Sequence, residues 1–363
     1  MRQPSVDGLK RRLQANPAYQ RTAEWVDGVA TIVGRGSDRD LDHLASEIVA
    51  GDLDPAAVPH LRQAELHRLR LAYQDAVAAR AEWPESLAPV QAGLEVDGVY
   101  VLRDHVPAPT LATMVADMNA FVGRMYADGH ISDRYQDREG VWADDAAVIS
   151  NDAFAWSPEL VQLAAGTDLL EVARCYLGAD PVIQRAQAMH YEPHEPSDRH
   201  QFRWHHDLEG RRLKAMILLT DVGAADQPML YVRRSHRQHH SIHRYRDNRL
   251  RPSYARRRSG QVDVTALTGN AGDVILFDSN GLHRGLRRPT GAARDVLVLE
   301  YALAGSTLMG GCPDPDAVGA LSESGRSAFA PMVDATPVWE RKVSAGGWID
   351  QLAVPERWAL AYD

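Results

Sequence analysis

The chain has 363 residues, of which 45% are hydrophobic and 25% charged, and this composition excludes disordered, collagenous and fibrous proteins. With only Cys175 and Cys312, a disulfide framework and a four-cysteine zinc site are also excluded, and we expect a reducing, cytoplasmic location. There is no apolar signal segment, and no uncharged run approaches the roughly 18 residues of a spanning helix. We therefore expect neither secretion nor membrane binding.

The net charge of -9 is unevenly distributed along the chain. Ten arginines and four histidines accompany a single acidic residue between Arg233 and Arg258, so the rest of the chain is strongly acidic. This balance disfavours nucleic-acid binding. The arginine-rich segment is either a positively charged lid that attracts an anionic substrate or an exposed loop. Only three of the 40 basic residues are lysines, Lys10, Lys214 and Lys342, a bias that we attribute to genome composition.

Helical periodicity dominates the first half of the chain. Apolar residues at three- and four-residue spacings predict an amphipathic helix over 59–83, and we assign residues 1–90 to a helical N-terminal extension. A β-branched run at 99–102 precedes a second helix, which opens after Pro107 and has a methionine-containing stripe typical of a core helix. Another helix begins at Pro158, and the run 168–178 predicts a helix that ends at Gly178.

Short strands separated by turns replace the helices from Pro181 onward. Eight such runs within about 120 residues, without helix-length segments between them, predict a mainly β core of the jelly-roll type, flanked by the helices. We assign residues 91–305 to this domain. Residues 306–363 are predicted to form a C-terminal extension packed on the core.

A possible metal site begins with His205 and Asp207. They stand two residues apart, so on a strand both side chains project from one face while His206 points the other way. An imidazole and a carboxylate, with a second imidazole from elsewhere, form the set that holds non-haem Fe(II) and leaves positions open. A single triplet of this kind is also compatible with an exposed strand end.

Two downstream residues strengthen the metal-site interpretation. His283 follows a strand and a glycine-containing turn, and Arg294 stands eleven residues later at the start of an apolar strand. Arg294 shares its strand face with Val296 and Val298, so its guanidinium is predicted at the barrel mouth, where it could clamp a carboxylate.

With these residues the chain resembles the phytanoyl-CoA dioxygenase family of Fe(II)/2-oxoglutarate-dependent oxygenases, over roughly residues 92–302. The resemblance rests on four blocks: GVYVLRDHVPAPTL; DLLEVARCYLGADPV; WHHD with LKAMILLTDV and MLYVRRSH; and GDVILFD with His283 and Arg294. It implies a cupin-like double-stranded β-helix, the jelly roll of this family.

The resemblance also implies a site and a reaction. His205, Asp207 and His283 would bind iron, and Arg294 would bind the distal carboxylate of 2-oxoglutarate. Molecular oxygen would be the further cosubstrate, with ascorbate as a supporting reductant. The implied reaction is hydroxylation of an aliphatic C–H bond, with succinate and carbon dioxide as coproducts. The carboxylate at position 207 favours hydroxylation over halogenation, because related halogenases carry a small residue there.

The chain departs from the family's usual pattern at three places. His206 replaces a common glutamine, residues 233–236 replace a Pro-Gly-Ser-His turn, and Gly285 replaces a frequent serine two residues after the second histidine. None of these departures removes a predicted metal ligand.

Further candidates surround this predicted centre. On the strand before His205, Gln184 and Gln187 are candidates to contact the cosubstrate. Three residues are candidates to contact the substrate, namely His190, Trp204 and Arg203. Strand alternation does not say which of these side chains face inward.

Other interpretations of the histidines stay open. His190 and Glu192 form a competing pair, and a separate metal site could involve His236, His239, His240 and His243. For the whole chain, we expect an oxygenase acting on a small or carrier-linked, anionic metabolite of specialised (natural-product) biosynthesis. The alternative is a non-catalytic cupin-like metal- or ligand-binding protein, which would not need Arg294. The oligomeric state is not predicted.

Overall fold

The computed structural model describes residues 78–79, 81–127, 135–136, 141–144, 147–150, 153–194, 204–207, 211–237, 245–246, 249–250, 263–303 and 313–333. Most of the helix predicted over 59–83, and most of the arginine-rich segment, lie outside these residues. Among the described residues, no helix has both the length and the apolar character needed to cross a membrane.

The strands form two principal antiparallel sheets. The larger sheet has the order β1-β11-β6-β13-β5-β4-β3-β2, the smaller has the order β10-β7-β12, and β8 and β9 pair as a short hairpin. In chain order the strands are β1 (Val99–Leu102), β2 (Tyr135–Gln136), β3 (Val141–Asp144), β4 (Ala147–Ser150), β5 (Pro181–Tyr191), β6 (Leu213–Leu218), β7 (Met229–Val232), β8 (Tyr245–Arg246), β9 (Arg249–Leu250), β10 (Val264–Leu267), β11 (Val274–Asp278), β12 (His283–Gly285) and β13 (Arg294–Leu303).

Helices flank the larger sheet. The α-helices are α1 (Ala88–Ala92), α2 (Ala108–Ala127), α3 (Pro158–Ala164), α4 (Thr167–Leu177), α5 (Pro315–Gly319) and α6 (Glu323–Val333). As predicted, α3 starts at a proline and α4 ends before Gly178, which has a φ of 78° that a residue with a Cβ rarely adopts. The α6 side chain Phe329 packs edge-on against Phe154, with ring centroids 5.0 Å apart.

The core has two layers, one on each face of the larger sheet. On β6, Leu213, Ala215 and Ile217 join the cluster that packs against the helices, whereas Met216 and Leu218 face the smaller sheet. Every β6 side chain is buried because both faces are covered. The second layer is the interior of the jelly roll, and the functional candidates lie around it.

The structure differs from the sequence pattern at two places. Strands β2, β3 and β4 extend the larger sheet, although the first half of the chain was predicted as helical. Residues 202–207 were predicted as a strand, but the described part forms only an isolated bridge between His205 and His283. Short strands at the side of a sheet depend on the neighbouring strand for their hydrogen bonds, so their own residues give little indication that a strand will form.

Candidate metal centre

Two histidines and an aspartate converge at one end of the jelly roll. One donor atom from each of His205, Asp207 and His283 lies within 4.8 Å of the other two. The Asp207 carboxylate lies 3.8 Å from Nε2 of His205 and 3.6 Å from Nε2 of His283. The imidazole rings are tilted with centroids 4.3 Å apart. These are the donor types that suit a divalent transition metal.

Backbone hydrogen bonds bring these distant residues together. The His205 amide donates to the His283 carbonyl at 3.0 Å, and the His283 amide donates back to the His205 carbonyl at 2.8 Å. The Asp207 amide donates to the carbonyl of Ser279 at 2.9 Å, in the turn between β11 and β12. The site is therefore tied to a sheet edge and a tight turn rather than to free loops.

That turn also orients the His283 imidazole. Its Nδ1 lies 2.8 Å from the Gly281 carbonyl, which can only accept, so Nδ1 carries the proton and Nε2 keeps a lone pair for a metal. Gly281 is required by space, because an added Cβ would lie 1.9 Å from the Tyr231 hydroxyl oxygen. Tyr231 in turn donates to the Asp278 carbonyl at 2.9 Å.

The Asp207 carboxylate is held by Lys214 as well as by its own backbone. The ammonium Nζ of Lys214, on β6, donates to Asp207 at 2.6 Å. Burial alone would raise the pKa of Asp207, but Lys214 and the two histidines outweigh it and hold the pKa well below its usual value. Behind Lys214, burial likewise opposes ionisation of Glu300, but Lys214, Arg185 and Arg212 lower its pKa to about 2. Both carboxylates are therefore ionised at neutral pH.

Arg294 carries a buried guanidinium on the interior face. Val296 and Val298 of the same strand belong to the interior cluster, as the strand alternation predicted. Arg294 is only 4% exposed, and its guanidinium carbon lies 4.5 Å from the Tyr191 ring centroid. Its Nε and Nη1 have no hydrogen-bond partner in the described part of the chain. Two buried donors without acceptors suit a carboxylate ligand.

The two glutamine candidates have different surroundings. Gln184 is fully buried and accepts a hydrogen bond from Arg212 at 2.5 Å, next to the register shift between β5 and β13. Gln187 is half-buried and lies opposite Val298, a residue of the interior face. Contact with a cosubstrate stays a prediction for both, and the position of Gln187 favours it more.

His190 lies on the face of β5 opposite the metal centre, and its assignment as a substrate contact stays a prediction. Its neighbour Met189 packs with the interior cluster, so alternation places His190 on the opposite face of β5. There its imidazole lies 2.6 Å from Asp295 and 3.1 Å from Glu192. His190, Glu192 and Asp295 thus form a group of interacting side chains on the face of β5 opposite the metal centre.

The other two substrate candidates can be placed only in part. Trp204 is half-buried beside His205, and the guanidinium carbon of Arg284 lies 5.2 Å from its ring centroid. Arg203 lies outside the described residues, as do His239, His240 and His243 of the alternative histidine site. Within the described residues, the grouping of metal-binding side chains includes neither His236 nor His190.

Replacing His190 with glutamine is expected to remove a pH-dependent contribution to stability. Burial disfavours the charged imidazole, but the hydrogen bonds and charges of Asp295 and Glu192 outweigh it and raise the pKa above 6.5. The contribution is therefore complete below that value and disappears as the pH rises through the raised pKa. Urea unfolding of both proteins should show a stability difference at about pH 5.5 that shrinks by about pH 8.5.

His105→Gln provides the control for this measurement. Burial lowers the pKa of His105, so its protonation favours the unfolded chain and its pH trend should have the opposite sign. A His190→Gln stability difference that is constant across this pH range would contradict the prediction.

Comparison with known proteins places this site in a family. Residues 94–296, more than half of the chain, match the family model described as phytanoyl-CoA dioxygenase (PhyH). The ectoine dioxygenase of Bordetella parapertussis is 25% identical over 258 residues, which cover 64% of this chain and 80% of the relative.

Solved structures resemble the fold. A crystal structure of EctD from S. alaskensis with bound Fe matches with a TM-score of 0.51 at 23% identity, over 64% of this chain and 83% of that chain. A second, with 2-oxoglutarate and 5-hydroxyectoine, matches with a TM-score of 0.50 at 23% identity, over 64% and 82% of the two chains. The predicted resemblance and the predicted cupin-like jelly roll are confirmed.

Proposed function

We propose that this chain, which belongs to the phytanoyl-CoA dioxygenase family, hydroxylates an aliphatic C–H bond of a small or carrier-linked, anionic metabolite. The reaction would use Fe(II), 2-oxoglutarate and oxygen. The family membership confirms the predicted enzyme class, a dioxygenase. One observation carries the reaction type: the convergence of His205, Asp207 and His283 in an interior that also holds the buried guanidinium of Arg294.

The donor set fits iron. Two imidazoles and one carboxylate would hold Fe(II) and leave coordination positions for exchangeable ligands. The Gly281 carbonyl fixes His283 in the tautomer whose Nε2 lone pair can bind a metal. Asp207 is already an ionised carboxylate at neutral pH, because its pKa is lowered. When bound, iron and 2-oxoglutarate would together convert molecular oxygen into an oxidant able to remove hydrogen from a C–H bond, with succinate and carbon dioxide as coproducts.

Arg294 fits the distal carboxylate of 2-oxoglutarate. Its two buried donors without acceptors would gain partners from a planar carboxylate, and Tyr191 keeps the guanidinium stacked in place. A cupin-like protein that only binds a metal would have no use for this guanidinium. The exclusion of water around a residue that is 4% exposed would also strengthen the ion pair.

Two observations bear on the substrate class. The S. alaskensis structure that contains 5-hydroxyectoine supports a small substrate. The sequence supports an anion, because the arginine-rich segment 233–258 would form a positively charged lid if it covers the site. A place in specialised biosynthesis and a cytoplasmic location, the latter from the low cysteine content, belong to the same proposal.

The domain assignment is also part of the proposal. Residues 91–305 would form the oxygenase domain, residues 1–90 a helical extension, and residues 306–363 an extension packed on the core. The apolar side chains Leu321 and Phe329 support the last assignment, since both belong to the cluster on the helical face of the larger sheet.

The proposal can be tested without knowing the substrate. Metal-free protein is titrated with Fe(II) under nitrogen and then with 2-oxoglutarate, while the visible spectrum is recorded. We expect a weak charge-transfer band that appears only after both additions, because the chelated cosubstrate and the metal must share one site. Binding of iron without a band would overturn the cosubstrate assignment, and no binding of iron would overturn the proposed function.

A further inference from the structure

A chain of buried charges extends from Asp207 into the jelly roll. Lys214 donates to Asp207 at 2.6 Å and lies 3.6 Å from Glu300 on β13. Glu300 also accepts hydrogen bonds from Arg185 at 2.9 Å and from Arg212 at 2.5 Å. The side chains of Lys214, Glu300 and Arg212 are 6%, 1% and 5% exposed. The three cations that contact Asp207 or Glu300, namely Lys214, Arg185 and Arg212, are therefore largely shielded from bulk water.

Fold stability is a poor explanation for this arrangement. The next interior side chains on the same strands, Met216 and Val298, are apolar. A buried ionic cluster of this kind is often no more stable than apolar side chains of the same volume, because each charge must be desolvated. The cluster therefore points to a role at the one carboxylate that it shares with the metal centre.

The residue type at position 214 supports this role. The chain has 37 arginines and three lysines, and Lys214 is the single lysine in the described residues. A guanidinium would present a planar fork and favour bidentate binding, whereas an ammonium is a compact charge on a flexible stem. The ammonium suits a contact with one oxygen of Asp207 that keeps the other oxygen available to a metal.

We infer that Lys214 is a positioning residue of the metal centre, which holds Asp207 by one oxygen and places a fixed positive charge beside the metal, so that Fe(II) is favoured over Fe(III). This inference rests on the proposed function, since it requires iron at His205, Asp207 and His283. The positive charge of Lys214 and its hydrogen bond to Asp207 both favour Fe(II). The positive charge disfavours the more highly charged ion, and the hydrogen bond weakens Asp207 as a donor to that ion.

The other members of the cluster make the inference specific. Glu300 offsets part of the Lys214 charge and draws the ammonium towards itself, so its neutralisation should favour Fe(II) further. Arg212 touches Glu300 and Gln184 but makes no described contact with Asp207. Its removal is therefore the matched control, because it deletes a buried cation from the same cluster at a greater distance from the metal.

The test is a redox titration of the iron-loaded, full-length protein without 2-oxoglutarate, with the ferric population followed by electron paramagnetic resonance. Lys214→Met is expected to lower the midpoint potential, and Glu300→Gln is expected to raise it. Arg212→Met should lower the potential by less than Lys214→Met does. Potentials that change in the same direction for Lys214→Met and Glu300→Gln, or that equal the wild-type value, would overturn the inference.

Two further measurements separate the possible failures. Failure of the wild-type protein to bind Fe(II) would overturn the proposed function, whereas binding with unshifted variant potentials would overturn only the role of Lys214. Circular dichroism of the metal-free variants reports whether they fold. If Lys214→Met does not fold, Glu300→Gln decides the inference, because an unchanged or lowered potential in that variant contradicts it.

Discussion

Arg294→Ala should weaken the binding of 2-oxoglutarate about 100-fold while leaving Fe(II) affinity within about twofold of the wild-type value. The loss is large because the guanidinium is buried, so bulk water would screen its pairing with a carboxylate only weakly. Losing one partner of a buried charge pair costs roughly 2–5 kcal/mol. The metal ligands come from other segments of the chain, so the metal site should persist. Titration of the iron-loaded protein, followed by the charge-transfer band, measures both affinities.

Arg288→Ala is the matched control for this variant. Arg288 precedes the same strand but is exposed, and its removal should not change either affinity. Equal weakening of iron and 2-oxoglutarate in Arg294→Ala would show that Arg294 supports the fold of the metal site rather than the cosubstrate.

His205→Ala should lower the Fe(II) affinity by more than about 100-fold and abolish the charge-transfer band at any 2-oxoglutarate concentration. Removal of a residue that hydrogen-bonds to a metal ligand commonly lowers metal affinity about 10–100-fold, and removal of the ligand itself should lower it further. The remaining pair, Asp207 and His283, cannot complete the facial set. Calorimetric titration with Fe(II) under nitrogen gives the affinity, and Co(II) provides an oxygen-stable second probe.

His206→Ala separates the loss of a ligand from a disturbance of the segment. It changes the adjacent histidine, which is not part of the group of converging donors. The variant is expected to bind Fe(II) within about twofold of the wild-type protein. If His206→Ala lost iron as completely as His205→Ala, the assignment of the ligand set would be wrong.

Local sequence was sufficient to predict much of the scaffold. The methionine-containing stripe of α2 is buried as its spacing predicted, with Met114 and Met118 in the cluster on the helical face of the larger sheet. Apolar runs with turn residues between them predicted most strands after Pro181, because burial on both faces requires continuous apolar sequence. The strands β2, β3 and β4 at one side of the larger sheet were missed, since their pairing with one another and of β4 with β5 supplies what their residues do not encode.

The sequence alone also determined the chemical types at the site and their spacing, namely a histidine and an aspartate two residues apart and an arginine eleven residues after a second histidine. Only the tertiary structure decided which faces point inward, because a period of two fixes the relative side of neighbouring residues and not which side is buried. It placed the buried His190 on the face of β5 opposite the interior, whereas Arg294 lies on the interior face that its alternation with Val296 and Val298 predicted. It also joined Lys214 to Asp207 and Glu300, a grouping that depends on β6 lying beside β13 and on the Asp207 carboxylate lying within reach of Lys214.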